Sequence, residues 1–374
     1  MLDRRVFSLS SGLVIFPKRH PSLQKISHIS WRAHDLLFRV SSAGTLAQES
    51  KGMMSIERIL CPVNLPPESD EALRYALLLA RAYNASLSLC HCTATPTLLT
   101  TVTTGNSDNG VKKELEDSLR RYVGTKNSPQ VPCDVVVVDG GRDVGEQIVR
   151  TARERLVDLI VMGSRRVSAL FGPNAEQVFR TASCPVLVIH PQDEQDAKDH
   201  VGFRRILVAH DFSSGAELAL SYALSIAQPF RAELHLLHVL PEPDENEPAI
   251  ARNEVVVTSA YHRALKRLED SVPADVHEKR RVMTAVRWGK PYREVLGYAR
   301  EHDVNLVCMG ALGRDFGRQA LFGSNVDRVL RQVSCPVLIA NPLRPANSPL
   351  VNVHTVGGYI GGLSSLLGPL LFLM

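Results

Sequence analysis

No two cysteines in the chain form a C-x-x-C pair, and no Cys/His set has the spacing of a zinc site. Neither a structural zinc module nor a secreted disulfide scaffold is therefore indicated. The seven cysteines are odd in number, and six of them (Cys61, Cys90, Cys92, Cys184, Cys308 and Cys335) lie in or beside apolar runs. They read as small buried hydrophobes of a reducing compartment, which points to the cytoplasm.

Other signatures are missing as well. There is no G-x-x-x-x-G-K-[ST], and no G-x-G-x-x-G opens a first helix, so P-loop and dinucleotide readings have no motif behind them. A surplus of positive charge is missing from most of the chain. Residues 1 to 52 hold eight Lys/Arg against three Asp/Glu, which leaves 35 basic against 36 acidic residues in the remaining 322. That balance excludes a broadly basic nucleic-acid surface. The same first 52 residues lack an uninterrupted apolar core with a small-residue cleavage site, so they do not read as a secretory signal. From Pro349 to Met374 charge is absent altogether. A bilayer-spanning helix needs about 20 apolar residues, which this tail barely supplies. Five glycines between Gly357 and Gly368, followed by Pro369, make it a poor helix. Membrane contact through the tail is an alternative to a disordered or domain-packed tail.

What the chain does contain is a duplication. Ile59 to Ala80 (ILCPVNLPPESDEALRYALLLA) matches Ile206 to Ala227 (ILVAHDFSSGAELALSYALSIA) at an offset of 147. The same offset sets His91 over His238 and Gly163 over Gly310. It then becomes 151, so that Cys184-Pro185 falls on Cys335-Pro336 and the first copy is four residues shorter between those blocks. Each copy reads strand, helix, strand, helix, strand, helix, strand, loop, helix, strand. Ile59 to Val63, Leu87 to Cys92, Val135 to Asp139, Leu159 to Met162 and Val186 to Ile189 are the strands of the first copy, short apolar runs suited to burial on both faces. Leu73, Ala76, Leu77 and Ala80 recur at i, i+3, i+4 and i+7, and Leu220, Ala223, Leu224 and Ala227 repeat them, which predicts two amphipathic helices. Ser214 with Glu217 predicts a capping box at the start of the second. Strands alternating with helices imply parallel pairing and right-handed crossovers, hence two tandem doubly wound α/β domains.

The organisation that follows is a leader over residues 1–53, disordered or upstream of the true start. A first domain covers 54–191, a linker 192–203 and a second domain 204–342. An apolar, Gly-rich tail over 343–374 closes the chain. The polar stretch Pro191 to His200 forms most of the linker.

The stretch Met309 to Asn325, MGALGRDFGRQALFGSN, holds four glycines directly after a predicted strand. In open parallel sheets, ligands bind where strand carboxyl ends meet loops and helix amino termini. Gly323-Ser324-Asn325 precedes the helical pattern Val326 to Gln332, so its backbone N–H groups and the Ser324 hydroxyl form an anion site. Glycine there admits positive φ and close backbone approach to a phosphate. A glycine-rich loop with an ordinary Ser or Asn cap is the plainer alternative.

Gly310, Gly313, Gly323 and Ser324 fit the spacing G-x2-G-x9-G-[S/T], which resembles the ATP-binding signature of the universal stress protein family. The segments ILVAHDFSSGAELALSYALSIA and SCPVLIA are similar to that family's first and last strands, and the resemblance covers about residues 54 to 342 as two tandem domains. It implies that Asp211 contacts the adenosine part of ATP, and that Gly310, Gly313, Gly323, Ser324 and Asn325 wrap the phosphates together with Mg²⁺. It also implies that the last strands, Val186 to Ile189 and Val337 to Ala340, pair the two domains. A homodimer is a further arrangement open to the chain.

The first copy departs from the pattern. Asn64 stands where Asp211 does, Arg166 takes the second-glycine position, and Gly172 is followed by Pro173. Proline removes a backbone donor from the cradle, so nucleotide binding is expected in the second domain, although Gly163, Gly172, Arg165 and Arg166 leave a rearranged first site open.

His210 beside Asp211 invites a general-base role, but neither Ser213 nor Ser214 comes with an oriented third group, so no catalytic residue is assigned. His91 and His238 read as structural rather than as metal ligands. The expected function is an ATP-binding stress-response regulator with slow or absent hydrolysis. The alternative is a nucleotide-independent pseudo-dimeric scaffold that recruits partner proteins.

Overall fold

A computed structural model describes residues 6–9, 12–15, 54–64, 69–93, 108–127, 131–139, 143–164, 172–190, 202–242, 254–311 and 323–341. The linker stretch Pro191 to His200, the tail over 343–374 and most of the leader lie outside them. Within the leader, β1 (Val6–Leu9) and β2 (Gly12–Ile15) pair as an antiparallel hairpin.

The first copy follows with β3 (Arg58–Pro62), α1 (Asp70–Tyr83), β4 (Ser86–Thr93), α2 (Asp108–Lys126), β5 (Cys133–Asp139), α3 (Val144–Glu154), β6 (Leu159–Gly163), α4 (Pro173–Thr181) and β7 (Val186–Ile189). The second has β8 (Arg205–Ala209), α5 (Ser214–Phe230), β9 (Glu233–Leu240), α6 (Glu254–Asp270), α7 (Ala274–Lys279), β10 (Val282–Trp288), α8 (Pro291–Glu301), β11 (Leu306–Gly310), α9 (Ser324–Gln332) and β12 (Val337–Ala340). The short α7, which begins after Pro273, has no place in the element order expected from sequence.

All of the strands among the described residues join one sheet, in the order β1-β2-β10-β9-β8-β11-β12-β7-β6-β3-β4-β5. Within each copy the neighbours run parallel, as helical crossovers require. Both copies share one arrangement, in which the first strand lies between the second and the fourth and the fifth lies beyond the fourth. The chain therefore winds outward in opposite directions from the first strand. The copies meet through an antiparallel pair, with Leu187 opposite Leu338. All eight residues of β7 and β12 are buried. The Val, Leu and Ile side chains among them contribute about 1.5–3 kcal/mol each when fully buried, so the seam is a strongly apolar junction. Pairing of the domains through their last strands is what the structure has.

Helices cover both faces. The Leu73, Ala76, Leu77 and Ala80 stripe of α1 and the Leu220, Ala223, Leu224 and Ala227 stripe of α5 are all buried, and they pack in one cluster with Leu119 of α2 and Leu268 of α6. On the other face Val149 of α3, Phe179 of α4, Tyr298 of α8 and Val329 of α9 form the second cluster. Each cluster draws on both copies, so the core runs through the seam.

The repeat extends to polar detail. Asp158 Oδ2 accepts from the backbone N–H groups of Glu57 and Arg58, both at 2.9 Å. Asn305, 147 residues on, accepts from those of Arg204 and Arg205, both at 3.0 Å. Asn84 and Arg231 close α1 and α5 in the left-handed conformation, at φ 54° and 52°.

Candidate functional site

The carboxyl ends of β8 and β11 lie side by side, at the point where the chain leaves the middle of the second half-sheet in opposite directions. This is the crevice in which doubly wound folds bind ligands. Asp211 and Phe212 follow β8, and Gly310 ends β11. The Gly323 N–H donates to Ala311 O at 3.0 Å, which brings the amino terminus of α9 to the end of β11. Asp211, Gly310, Gly323, Ser324 and Asn325 thus all stand on one edge of the second domain. Gly313 lies outside the described residues.

The turn after β8 is held by its own side chains. Asp211 is half-buried, and its Oδ1 accepts from Ser213 N at 3.0 Å. Inside that turn Phe212 is at φ 63°, a left-handed value that a bulky residue adopts only where surroundings enforce it. The Phe212 ring lies 4.4 Å from the His238 ring, and the Arg267 guanidinium sits 4.2 Å over its centroid. These three residues form a wall beside Asp211 that sequence reasoning did not assemble. The only signal available was Phe between Asp and Ser, and Arg267 lies 55 positions further on in a helix.

The cap of α5 differs by one residue from the sequence expectation. Ser213, not Ser214, is the N-cap, and its Oγ accepts from Ala216 N at 3.2 Å. Glu217 does not complete a capping box with Ser214. Its Oε1 instead approaches His210 Nε2 at 3.4 Å. With Asp211, Ser213 and Ser214 in succession, sequence could not select the capping oxygen.

His210 is buried, and its Nδ1 accepts from Phe212 N at 3.3 Å. Both ring nitrogens therefore face protein groups. Burial pushes the imidazole down to about 4, with Asp211 opposing the shift and His238 and Arg267 adding to it. His91 and His238 hold equivalent posts. Their Nδ1 atoms bond Val63 O at 2.8 Å and His210 O at 2.7 Å, which ties each second strand to the exit of the first. That is a structural role. Among the described residues no group of three or more His, Cys, Asp or Glu could hold a metal ion.

Gly310 is glycine for a packing reason. A Cβ there would fall 2.5 Å from the carbonyl carbon of Gly215, in the first turn of α5. Gly323 precedes α9 in an extended conformation at φ −75° and ψ 137°, which other residues also adopt. Ser324 is exposed and Asn325 half-buried. The first-turn N–H groups of a helix have no acceptor within that helix.

The first copy builds the same edge with different groups. Asn64 follows its first strand two residues on, and Asn64 N donates to Ser69 Oγ at 2.7 Å, an oxygen that makes no cap bond to α1. Gly172 precedes α4 as Gly323 precedes α9, with Pro173 at the first helical position. Arg165 and Arg166 lie outside the described residues.

A two-domain α/β protein with a crevice at the carboxyl edge of each half-sheet is the class that fold and site define. The sequence profile of the universal stress protein family matches residues 55–190 and again 202–341. The chain belongs to that family, as a tandem member. A universal stress protein of Mycolicibacterium smegmatis is 26% identical over 298 residues, covering 76% of this chain and 97% of its own length. Universal stress protein YxiE of Bacillus subtilis, 29% identical over 150 residues, covers 37% of this chain and 98% of its own. Among solved structures, a universal stress protein from Archaeoglobus fulgidus aligns with a TM-score of 0.56 at 19% identity, covering 76% of this chain and 98% of its own. That likeness is one of fold.

Proposed function

We propose that the chain is a stress-response regulator that holds ATP, with Mg²⁺, at the carboxyl edge of its second domain. The observation that carries this reading is that the Asp211 turn after β8 and the amino terminus of α9 lie at the carboxyl ends of neighbouring strands, the latter anchored by the bond from Gly323 N to Ala311 O. The donor set suits the ligand. Backbone N–H groups and the Ser324 hydroxyl at the positive end of a helix dipole favour phosphate, and a carboxylate accepts from sugar hydroxyls. Bound Mg²⁺ would neutralise phosphate charge. The residues that would hold the nucleotide are Asp211, Gly310, Gly323, Ser324 and Asn325, joined by Gly313.

Regulation fits this edge better than turnover does. His210 is turned into the fold, and the Ser213 hydroxyl caps α5. Calorimetric titration of the full chain with Mg-ATP tests the proposal, beside an Asp211→Ala, Ser324→Pro variant checked to be folded. One equivalent bound by the parent and lost in the variant supports a second-domain site. Two equivalents would assign a site to the first copy as well, and no binding would favour a nucleotide-free scaffold built on the β7–β12 seam.

A further inference from the structure

Cys90 and Cys92 lie near the carboxyl end of β4, in the first domain and away from the proposed nucleotide. Side chains two apart on a strand share a face, and the two sulfurs stand 3.9 Å apart. Cys90 is buried, whereas Cys92 is half-buried. The second copy shows what packing alone asks of these positions. At the offset of 147 they correspond to Leu237, which is buried, and Val239, which is half-buried, in the same hydrophobic cluster. Two ordinary hydrophobes serve there, so sulfur is not needed to fill the space.

We infer that Cys90 and Cys92 form a reversible dithiol–disulfide site that reacts with a hydroperoxide. The Cys92 thiolate attacks the O–O bond of the peroxide. It becomes a sulfenic acid, while the other oxygen takes up a proton and leaves as water or an alcohol. The Cys90 sulfur then attacks the Cys92 sulfur and displaces hydroxide, which leaves as water with the Cys90 proton. The sulfur pair loses two electrons and the peroxide gains them.

The order of events follows from the surroundings. Cys92 is the more accessible sulfur, and its contact with the Cys90 thiol lowers it below the ordinary thiol range. Cys90 is pushed up by that same contact and by burial, which suits a resolving thiol that keeps its proton until the second step. Strand residues two apart have Cα atoms about 6.6 Å apart, near the upper end of the span that disulfides bridge, about 4.4–6.8 Å. The bond would close a very short loop, which adds little stability, so it suits reversible signalling better than stabilisation. Its closure would act on the first-strand exit, because Cys90 O accepts from Val63 N at 2.9 Å and His91 Nδ1 bonds Val63 O.

The test uses the full chain. After brief exposure to hydrogen peroxide and alkylation of the remaining thiols, trypsin releases both cysteines in one peptide, from Ala82 to Lys112. The expected product is that peptide two hydrogens lighter, unalkylated, and returned to the alkylated form by prior treatment with a thiol reductant. In Cys92→Ser, Cys90 should remain alkylatable. A Cys90→Leu, Cys92→Val variant, which carries the second copy's residues, should fold and lose the peroxide response of this peptide. Cys92 ending as sulfinic acid, bonding to another cysteine, or staying unchanged at peroxide levels that oxidise the other half-buried thiol, Cys133, would each overturn the proposal.

Discussion

Gly310 and Gly215 touch backbone to backbone, where the end of β11 meets the first turn of α5. A Cβ on Gly310 would lie 2.5 Å from the Gly215 carbonyl carbon and 2.9 Å from Ala216 N. Neither atom belongs to a side chain that can rotate away. Gly310→Ala should therefore destabilise the protein by about 1–3 kcal/mol through overpacking, read as a lower denaturation midpoint in urea. An unchanged midpoint would show that β11 and α5 separate at little cost. Loss of nucleotide binding in this variant would not by itself identify a contact residue, because the packing fails first.

Asn341, just past β12, reaches across the seam. It is buried, and its Nδ2 donates to Phe179 O at 3.3 Å and approaches Cys184 O at 3.5 Å, both in the first domain. His190 holds the equivalent position in the first copy and bonds Ser164 Oγ at 2.8 Å within its own domain. The two sides of the seam are thus chemically unlike. Asn341→Ala strips buried carbonyls of a donor and should cost about 1–3 kcal/mol. If full-chain unfolding in urea kept its midpoint and slope in this variant, Asn341 would have no part in docking the domains.

Acid should weaken the fold through its buried histidines. His210 and His235 are both pushed down to about 4, chiefly by burial. His235 is packed among Tyr298, His302, Glu233, Arg205 and Arg281. Unfolded, each imidazole binds a proton below about 6.5. Between about pH 6.5 and 4 the unfolded state therefore holds more protons, and stability falls as pH falls, by up to about 1.4 kcal/mol per unit for each histidine. His210→Asn keeps an acceptor for Phe212 N but does not titrate. Urea melts across that window should show a shallower pH slope for the variant, and an equal slope would remove His210 from the account.

The repeat was the most legible property of the sequence because it repeats physical constraints. Apolar runs at an offset of 147 became strands within a residue or two of their expected ends, since a strand buried on both faces must be continuously apolar. The seam between β7 and β12 could be anticipated from resemblance but not from pattern, because Val186 to Ile189 is no more apolar than Leu159 to Met162, an interior strand. Of the candidate site, Asp211 and the start of α9 were legible as motif residues. The Phe212, His238 and Arg267 wall was not, because it depends on a left-handed turn and on a helix that packs from far along the chain. The resemblance sets Gly310 beside phosphate, and the structure adds a packing reason for its missing Cβ in the neighbouring Gly215. Sequence spacing records that a Cβ is absent and leaves open which atom takes its place.

The first copy supplies a substitution that tests the phosphate cradle without disturbing the fold. Pro173 begins α4 where Ser324 begins α9, and the preceding glycines, Gly172 at ψ 149° and Gly323 at ψ 137°, both have the extended conformation that a following proline requires. Proline is well tolerated at the first helical position, so Ser324→Pro should leave stability within about 0.5 kcal/mol of the parent. It removes one backbone N–H and one hydroxyl from the edge proposed to hold the phosphates. Hydrogen bonds to charged groups contribute about 1.5–3 kcal/mol each, so affinity for Mg-ATP should fall about tenfold or more, measured by titration with urea melts as the control. An affinity equal to that of the parent would mean that phosphate is not held at the start of α9. The nucleotide reading would then rest on Asp211 alone.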